Sequence, residues 1–419
     1  MHVCILGAGI AGLATAWQLH RAGFEVTVID RAGAGAGASG ANGAQLSYAY
    51  VQPLADPSLW RHLPKLLFAK ASPFHLRLQL DPQQWAWGLQ FLAACRSSVS
   101  RETTVQLLAL AARSRIAFER LLSEERLDCD FSSTGKLVLY GDTPSFGAAR
   151  RQMALQRGLG SVQHAVTASE CAAIEPALAR HVPHIAGAIH TPGECAADCF
   201  KVCQELQRLL VAGGVQFLFN TEVTAMEQRA GRAVATHTSH GPVYADAFVA
   251  ALGSASGGFG RRLGLDLPVY PLKGYSITLP VASDWGAAPR VNVTDAARKM
   301  VFARIGSRLR VAGMAELVGH NTAIAPDRID ALVQATREIF PQCGDLDAPV
   351  PWAGLRPATP TGRPILGRRP GTPENLLFNT GHGALGFTLA FGSAVHILEL
   401  LQAARPLTIS AAGPVSCSA

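Results

Sequence analysis

The sequence predicts an α/β protein of two lobes, one built of strand–helix–strand units and one a discontinuous β-sheet with helices. Three observations carry that expectation. The first is size, since 419 residues suit two lobes at roughly 100–200 residues per domain. The second is a strand, a glycine turn, a helix and a second strand, all within residues 2–30. The third is another glycine turn near the C-terminus, placed after a stretch rich in short strands. Composition agrees: 48% hydrophobic and 16% charged residues exclude disordered, coiled-coil and fibrous classes. A net charge of +7 suits anionic small molecules or an acidic lipid face and does not require nucleic acid.

The first unit is the most specific. Residues 2–6 form an apolar run that leads directly into Gly7, Gly9 and Gly12 in the spacing GxGxxG, with Ile10 and Ala11 between them. Leu13, Ala16 and Leu19 then recur at helical spacing, Ala22-Gly23 stops the helix, and residues 26–29 read as a strand ending on Asp30. In this context the spacing is a dinucleotide fingerprint. Gly7 allows the turn, Gly9 admits a pyrophosphate against the backbone, and Gly12 lets helix and strand pack closely. The helix N-terminus offers free N–H groups to phosphates, and Asp30 offers acceptors to a ribose diol. Residues 32–55 carry no formal charge, and a loop of that length is expected to pass over the bound dinucleotide with Ser39, Asn42, Gly43 and Gln45.

Residues 56–128 read as mainly helical, with Leu107, Leu110, Ala111, Ser114, Phe118, Leu121 and Leu122 on one face. Ser133-Thr-Gly135 precedes a strand over 136–140, and Asp198 is the expected N-cap of a helix to about Leu210, stopped by Gly213-Gly214. Strands are expected over 215–219, 233–238 and 246–251, followed by a β-rich stretch over 269–314. Residues 376–379 read as a strand, and Gly381, Gly383 and Gly386 open a helix from Phe387. Residues 375–398 carry no Asp, Glu, Lys or Arg, long enough for a bilayer, yet the glycines make this a buried strand–helix unit. No acid ends a further strand, so the second glycine turn is not expected to start a nicotinamide domain; a helix N-terminus of this kind, if aimed at a flavin ring, would stabilise negative charge that develops there on reduction. Upstream, Arg356 stands between Leu355 and Pro357, where a planar guanidinium can clamp a carboxylate bidentately.

The nine cysteines are odd in number and scattered. They suggest neither disulfides nor a metal site, and Cys195, Cys199 and Cys203 read as small core residues. The start MHVCILGAG lacks a basic leader, which points to a cytoplasmic protein.

The segments GAGIAGLATAW, EVTVID, SGANGAQLS, NTEV (220–223), ALGSAS (251–256), YPLKGYS (270–276), RVAGMAE (310–316), WAGLRPATPTGRPILG and NTGHGALGFTLAFGS together resemble the D-amino acid dehydrogenases. These belong to the glycine oxidase and D-amino acid oxidase superfamily, and the likeness runs from Met1 to about Pro406. It implies a Rossmann-like FAD-binding domain of the glutathione-reductase type over 1–54, 160–260 and 345–410. A discontinuous substrate-binding domain of β-sheet plus helices would cover 55–159 and 261–344, with 411–419 a tail.

The resemblance implies non-covalent FAD, because covalent relatives carry a cysteine near GLRP and none lies between Cys343 and Cys417 here. It places FAD on Gly7, Gly9, Ile10, Ala11, Gly12, Asp30 and Arg31, on the loop residues Ser39, Asn42, Gly43, Ala44, Gln45 and Leu46, and on Val223 and Gly253. The C-terminal contributors are Gly354, Arg356, Gly381, His382, Gly383, Leu385, Gly386, Phe387 and Thr388. Arg356 is the implied carboxylate clamp. Some relatives carry a substrate tyrosine on the strand that reads Lys299-Met300-Val301-Phe302-Ala303-Arg304 here, so Met300 stands near the substrate without a phenol. Tyr275, Tyr48 and Tyr50 are the candidates to replace it. His382 is the titratable neighbour of the flavin and a candidate base.

The implied reaction is oxidative deamination of a small-molecule D-amino acid to a 2-oxo acid and ammonia, with electrons passed to a quinone or an artificial acceptor. The alternatives are glycine, sarcosine or D-hydroxyproline as substrate, and a tRNA-modifying flavoprotein, which the lack of a dense basic run disfavours. Residues 57–80 contain Arg61, Lys65, Lys70 and Arg77 among Trp60, Leu63, Leu66, Leu67, Phe68 and Phe74, with no acid. Such a segment suits peripheral contact with the cytoplasmic face of the inner membrane, at about 1 kcal/mol per cation near anionic lipid.

Overall fold

The computed structural model describes residues 1–57, 74–77, 79–158, 160–281 and 287–404. Most of the basic, aromatic segment therefore lies outside the described residues; Phe74–Leu76 pairs parallel with the strand Arg308–Leu317.

Two large sheets organise the chain. The first has six strands in the order Ile365–Gly367, Leu376–Thr380, Ala247–Ala250, His2–Leu6, Glu25–Ile29 and Gln216–Leu218. All neighbours are parallel except the Ile365–Gly367 edge. Val3 and Ile5 face one core while Cys4 and Leu6 face another. Burial on both sides explains why the sequence there is an unbroken apolar run rather than an alternating one. The helices Ile10–Arg21, Cys199–Ala212 and Gly386–Ala403 cover one face of this sheet. Asp198 caps the second of them, accepting from the N–H groups of Phe200 and Lys201. The apolar span Gly383–Ala403 has the length and composition of a membrane helix, but it packs against Ile10–Arg21 and Ser97–Glu124.

The second sheet has nine strands. Its path is Val350–Ala358, Tyr270–Pro280, Arg308–Leu317, Met300–Ile305, Asn292–Asp295, Lys136–Tyr140, Gly187–Thr191 and His164–Val166, with Phe74–Leu76 joined to Arg308–Leu317. Here the period of two is explicit. Leu137, Leu139, Val293, Phe302, Leu309, Val311, Ile277 and Leu279 share one core with the helix Pro326–Ile339, which lies against the strands Tyr270–Pro280 and Arg308–Leu317. Lys136, Asn292, Arg310, Ser276 and Arg356 stand on the opposite parity, which faces the loop over residues 39–47. Sheet membership crosses the domain limits expected at 160 and 345, because His164–Val166, Gly187–Thr191 and Val350–Ala358 all belong to the large sheet. Their alternating patterns do not say which sheet they join; only the hydrogen-bonded partner does.

Candidate functional site

Between the two sheets lies one cavity of about 1870 Å³. Ordinary ligand pockets hold roughly 300–1,000 Å³, so the space suits a large cofactor together with a small substrate.

One end is backbone. Gly7 has φ +113°, and a Cβ there would sit 2.4 Å from the carbonyl oxygen of Ala251. A Cβ on Gly12 would meet the Gly7 oxygen at 1.8 Å, which forces glycine wherever this helix crosses this strand. Gly9 differs. Its conformation is open to any residue, and a Cβ would meet only Ser39 Oγ at an ordinary 3.6 Å. Protein packing thus leaves the Gly9 approach free for a ligand. The helix Ile10–Arg21 has no acid in its first turn, and its first N–H donates to Ser39 Oγ at 3.1 Å. Asp30 accepts from the Ala8 and Ala32 N–H groups, 2.8 Å each, which orients both oxygens at the cavity edge and leaves a lone pair on each. Arg31, Val223 and Gly253 line the same end.

The loop is stapled to the large sheet. Ser276 Oγ donates to the Ala41 carbonyl, Arg310 Nη1 to the Asn42 carbonyl, and Gln45 Nε2 to the carbonyls of Val293 and Phe302. Asn42 Oδ1 accepts from the Ala44 N–H and holds Ala44 at φ +58°, a left-handed strain of roughly 1–2 kcal/mol that turns the loop along the cavity. Gly43 packs on Val301, so a larger residue would lift the loop from the sheet.

The other end is side chain. Arg356 enters from Val350–Ala358, and its guanidinium lies over Gly274 of the next strand, 2.2 Å from where a Cβ would be. Nη1 donates to the Met314 carbonyl at 2.7 Å, and Met314 is itself left-handed at φ +62°. No carboxylate pairs with Arg356 among the described residues. Burial lowers its pKa to about 10, so it remains a cation at neutral pH. Arg363, seven residues on, is spent on Glu102 at 3.0 Å. A half-buried, oriented guanidinium without a carboxylate partner at a cavity wall is an anion site.

His382 also lines the cavity, with Nε2 2.9 Å from Ser393 Oγ. Burial pulls its pKa down to about 4, so the ring is neutral at physiological pH and a weak proton acceptor. Tyr275 lines the cavity, but its hydroxyl donates to Glu316 Oε2 at 2.7 Å, and burial pushes its pKa up. Glu316 is also paired with Arg328 at 2.8 Å. Tyr50 reaches the cavity; Tyr48 does not, since it is buried with its N–H on Glu194 Oε2 and Arg115 over its ring. Met300 is equally absent from the wall, because its position on the strand points it into the core beneath the sheet. Leu46 is core, and Gly381 acts through its φ of +80° rather than by facing the space. Gly354, Gly383, Leu385, Gly386, Phe387 and Thr388 line it as expected. The helix Gly386–Ala403 has no acid or side-chain cap at its start.

Among the wall residues that the sequence alone does not mark are Lys136 and Ser47, which meet at 2.8 Å and both face the cavity although they lie 89 residues apart in the chain. The only local signal was a lysine at an otherwise buried strand start.

These features fit FAD: a phosphate cradle closed to side chains, a ribose acceptor, and a buried Asn379 Oδ1 without a partner at the cavity wall. The family model for DAO, FAD-dependent oxidoreductases, matches residues 2–400. "D-amino acid dehydrogenase 2" of Ralstonia nicotianae is 46% identical over 98% of this chain and 99% of that protein. A protein of the same name from Pseudomonas aeruginosa is 44% identical over 98% and 97%. Among solved structures, glycine oxidase from Geobacillus kaustophilus superposes with a TM-score of 0.75 at 20% identity, covering 96% of this chain and 94% of that one. Glycine oxidase from Bacillus cereus gives 0.74 at 19%, covering 97% and 96%. At that identity the structures speak for the fold, while the full-length matches speak for descent. By both, the chain belongs to the DAO family of FAD-dependent oxidoreductases.

Proposed function

We propose that this chain oxidises D-amino acids to 2-oxo acids and ammonia. The observation that carries it is Arg356, a half-buried cation without a carboxylate partner among the described residues, at the wall of an FAD cavity. The relatives named D-amino acid dehydrogenase, 36–46% identical over nearly the whole chain, support the D configuration. The fold alone does not decide handedness, since an L-proline dehydrogenase shares it with a TM-score of 0.73.

Bound FAD supplies the two-electron acceptor for the Cα hydride. Arg356 takes the substrate carboxylate, and the Met314 and Gly313 carbonyls hold the guanidinium in its plane. Gly274 leaves the room that this guanidinium fills. The amino acid must shed its ammonium proton before the hydride leaves, and His382, neutral and held by Ser393, is too weak a base to be the main acceptor at neutral pH. Positioning and electrostatics therefore carry the rate. The iminium product leaves and hydrolyses. The deciding experiment is anaerobic mixing of the holoenzyme with a panel of D- and L-amino acids while the visible flavin band is followed. Bleaching by D-amino acids is expected; bleaching by L-amino acids alone overturns the assignment.

We propose further that electrons pass to a quinone at the cytoplasmic face of the membrane. The basic composition of 57–80 supports this reading, as do the exposed Leu80 at its end and Trp85 and Leu89 beside it, the last two one turn apart on the helix Pro82–Ala94. Co-sedimentation with anionic vesicles that is lost at high salt, together with turnover on a soluble quinone, is the expected result. Fast oxygen consumption without vesicle binding points to a soluble oxidase.

A further inference from the structure

Lys136 is a buried cation on the cavity face of the large sheet, as is Arg310, whose guanidinium is spent on the Asn42 carbonyl. It opens the strand Lys136–Tyr140, where Leu137 and Leu139 point to the core and Lys136 points away. The side chain belongs to a residue only 2% exposed. Its Nζ donates to Ser47 Oγ at 2.8 Å and lies 4.4 Å from the centre of the Tyr50 ring. Ser47, Tyr50 and Lys136 all line the cavity.

No carboxylate forms an ion pair with it among the described residues. Glu194 is the acid whose charge it feels, but the two Glu194 oxygens accept from the Tyr48 and Ala49 N–H groups at 2.7 Å each. The other groups around it are neutral: Tyr50 and Tyr140, whose pKa values burial raises, and Asn292 and Thr191 on the flanking strands. A buried ammonium with no carboxylate in direct contact is costly unless negative charge arrives beside it.

Two contacts tie Lys136 to the second glycine turn. The Ser47 N–H donates to Thr388 Oγ1 at 3.1 Å, and Thr388 sits in the first turn of the helix Gly386–Ala403. Lys136 is thus two hydrogen bonds from the helix N-terminus that closes the glycine turn of the FAD site. A substrate carboxylate is the weaker explanation. Arg356 and Lys136 stand five strands apart in the sheet, roughly 24 Å along it, farther than the two carboxylates of one amino acid reach.

We propose that Lys136 supplies the buried positive charge that offsets the negative charge entering this cavity on reduction of the FAD, held in place through Ser47 and Thr388. The ammonium proton of the substrate leaves to solvent, which leaves one net negative charge in the cavity; hydride transfer from Cα, two electrons and one proton, then carries that charge to the FAD and leaves the substrate as a neutral iminium carboxylate. Burial lowers the Lys136 pKa to about 8. Incoming negative charge raises it again, so above about pH 8 reduction draws a further proton onto Lys136.

The test is the midpoint potential of the holoenzyme, measured electrochemically without substrate, so that it stands or falls apart from the substrate assignment. Lys136→Met is expected to disfavour the reduced form about 10- to 100-fold, a fall of about 30–60 mV at 30 mV per tenfold for two electrons. Lys136→Arg should restore most of it. In the wild type the potential should fall more steeply with pH above about 8, a break that Lys136→Met lacks. If Lys136→Met does not retain FAD, the wild-type pH break decides alone. An unchanged potential, or a wild type without the break, overturns the proposal. An unchanged potential with turnover lost only on acidic D-amino acids would reassign Lys136 to the substrate side chain.

Discussion

At the Gly7 end of the cavity the wall is main chain, and at the Arg356 end it is side chain. Around Gly7 the cavity is lined by N–H groups, glycine Cα atoms and one carboxylate, from residues 7–43 and the ends of adjacent strands. Around Arg356 it is lined by side chains from strands that are far apart in sequence, each held by a partner on another strand. The two ends tolerate change differently. A backbone cradle fails through shape, when a Cβ displaces an element. A side-chain wall fails through charge, when a group is lost and the fold stays.

Gly12→Val should have the largest effect. Its Cβ would overlap the Gly7 carbonyl at 1.8 Å, so helix and strand must separate. The purified protein should be colourless and less stable by roughly 3 kcal/mol, read from flavin absorbance and chemical unfolding. Gly9→Ala is the contrast. Nothing in the protein obstructs that methyl group, so the apoprotein should keep its stability while FAD affinity falls. Equal destabilisation by both substitutions would break the distinction between packing glycines and ligand glycines.

At the other end, Arg356→Ala should retain FAD and lose roughly 3–5 kcal/mol in kcat/KM, about a hundred- to several-thousandfold. Arg356→Lys should recover little of it, since a single ammonium cannot copy the two-pronged donor. Near-normal turnover in either variant places the carboxylate elsewhere.

His382 offers a smaller, pH-dependent effect. Its folded pKa of about 4 lies below its ordinary value of 6.5. Between those values the unfolded chain binds a proton that the folded chain refuses, so stability falls as pH drops from about 6.5 to 4, by up to about 3 kcal/mol. His382→Asn should remove that part of the acid limb in unfolding curves taken at pH 4, 5 and 7. Curves that stay parallel would show that the imidazole is solvated.

Tyr275→Phe should do least. The phenol is spent on Glu316, which keeps Arg328, so about 1 kcal/mol of stability should be lost and kcat/KM should move less than about threefold. A hundredfold loss would return Tyr275 to the substrate.

The same division explains what could be read in advance. The fingerprint turn, the strand ending before Asp30, the Asp198 cap and the C-terminal strand–helix unit all depend on residues within one or two turns of each other. The Arg356 environment was legible only through its motif. Whether Tyr48 or Tyr50 faces the cavity depends on how the loop runs past Glu194, 146 residues from Tyr48 in the chain. Met300 was displaced from the wall by strand parity, which the sequence carries but does not anchor to one face until the helix Pro326–Ile339 covers the other. The tyrosine at 275 lost its free hydroxyl to Glu316, on a strand that pairs with its own at a bulge.

By itself, then, the sequence determined the local units and the identity of the phosphate cradle, because those are decided by steric rules between near neighbours. Tertiary structure decided the charge state and partners of the groups that line the redox end. Lys136 meets Ser47 across 89 residues, and Ser47 meets Thr388 across 341. A lysine has its ordinary pKa in an unfolded chain; only burial between those segments pulls it to about 8 and leaves it at the cavity wall with no carboxylate in ion-pair contact among the described residues.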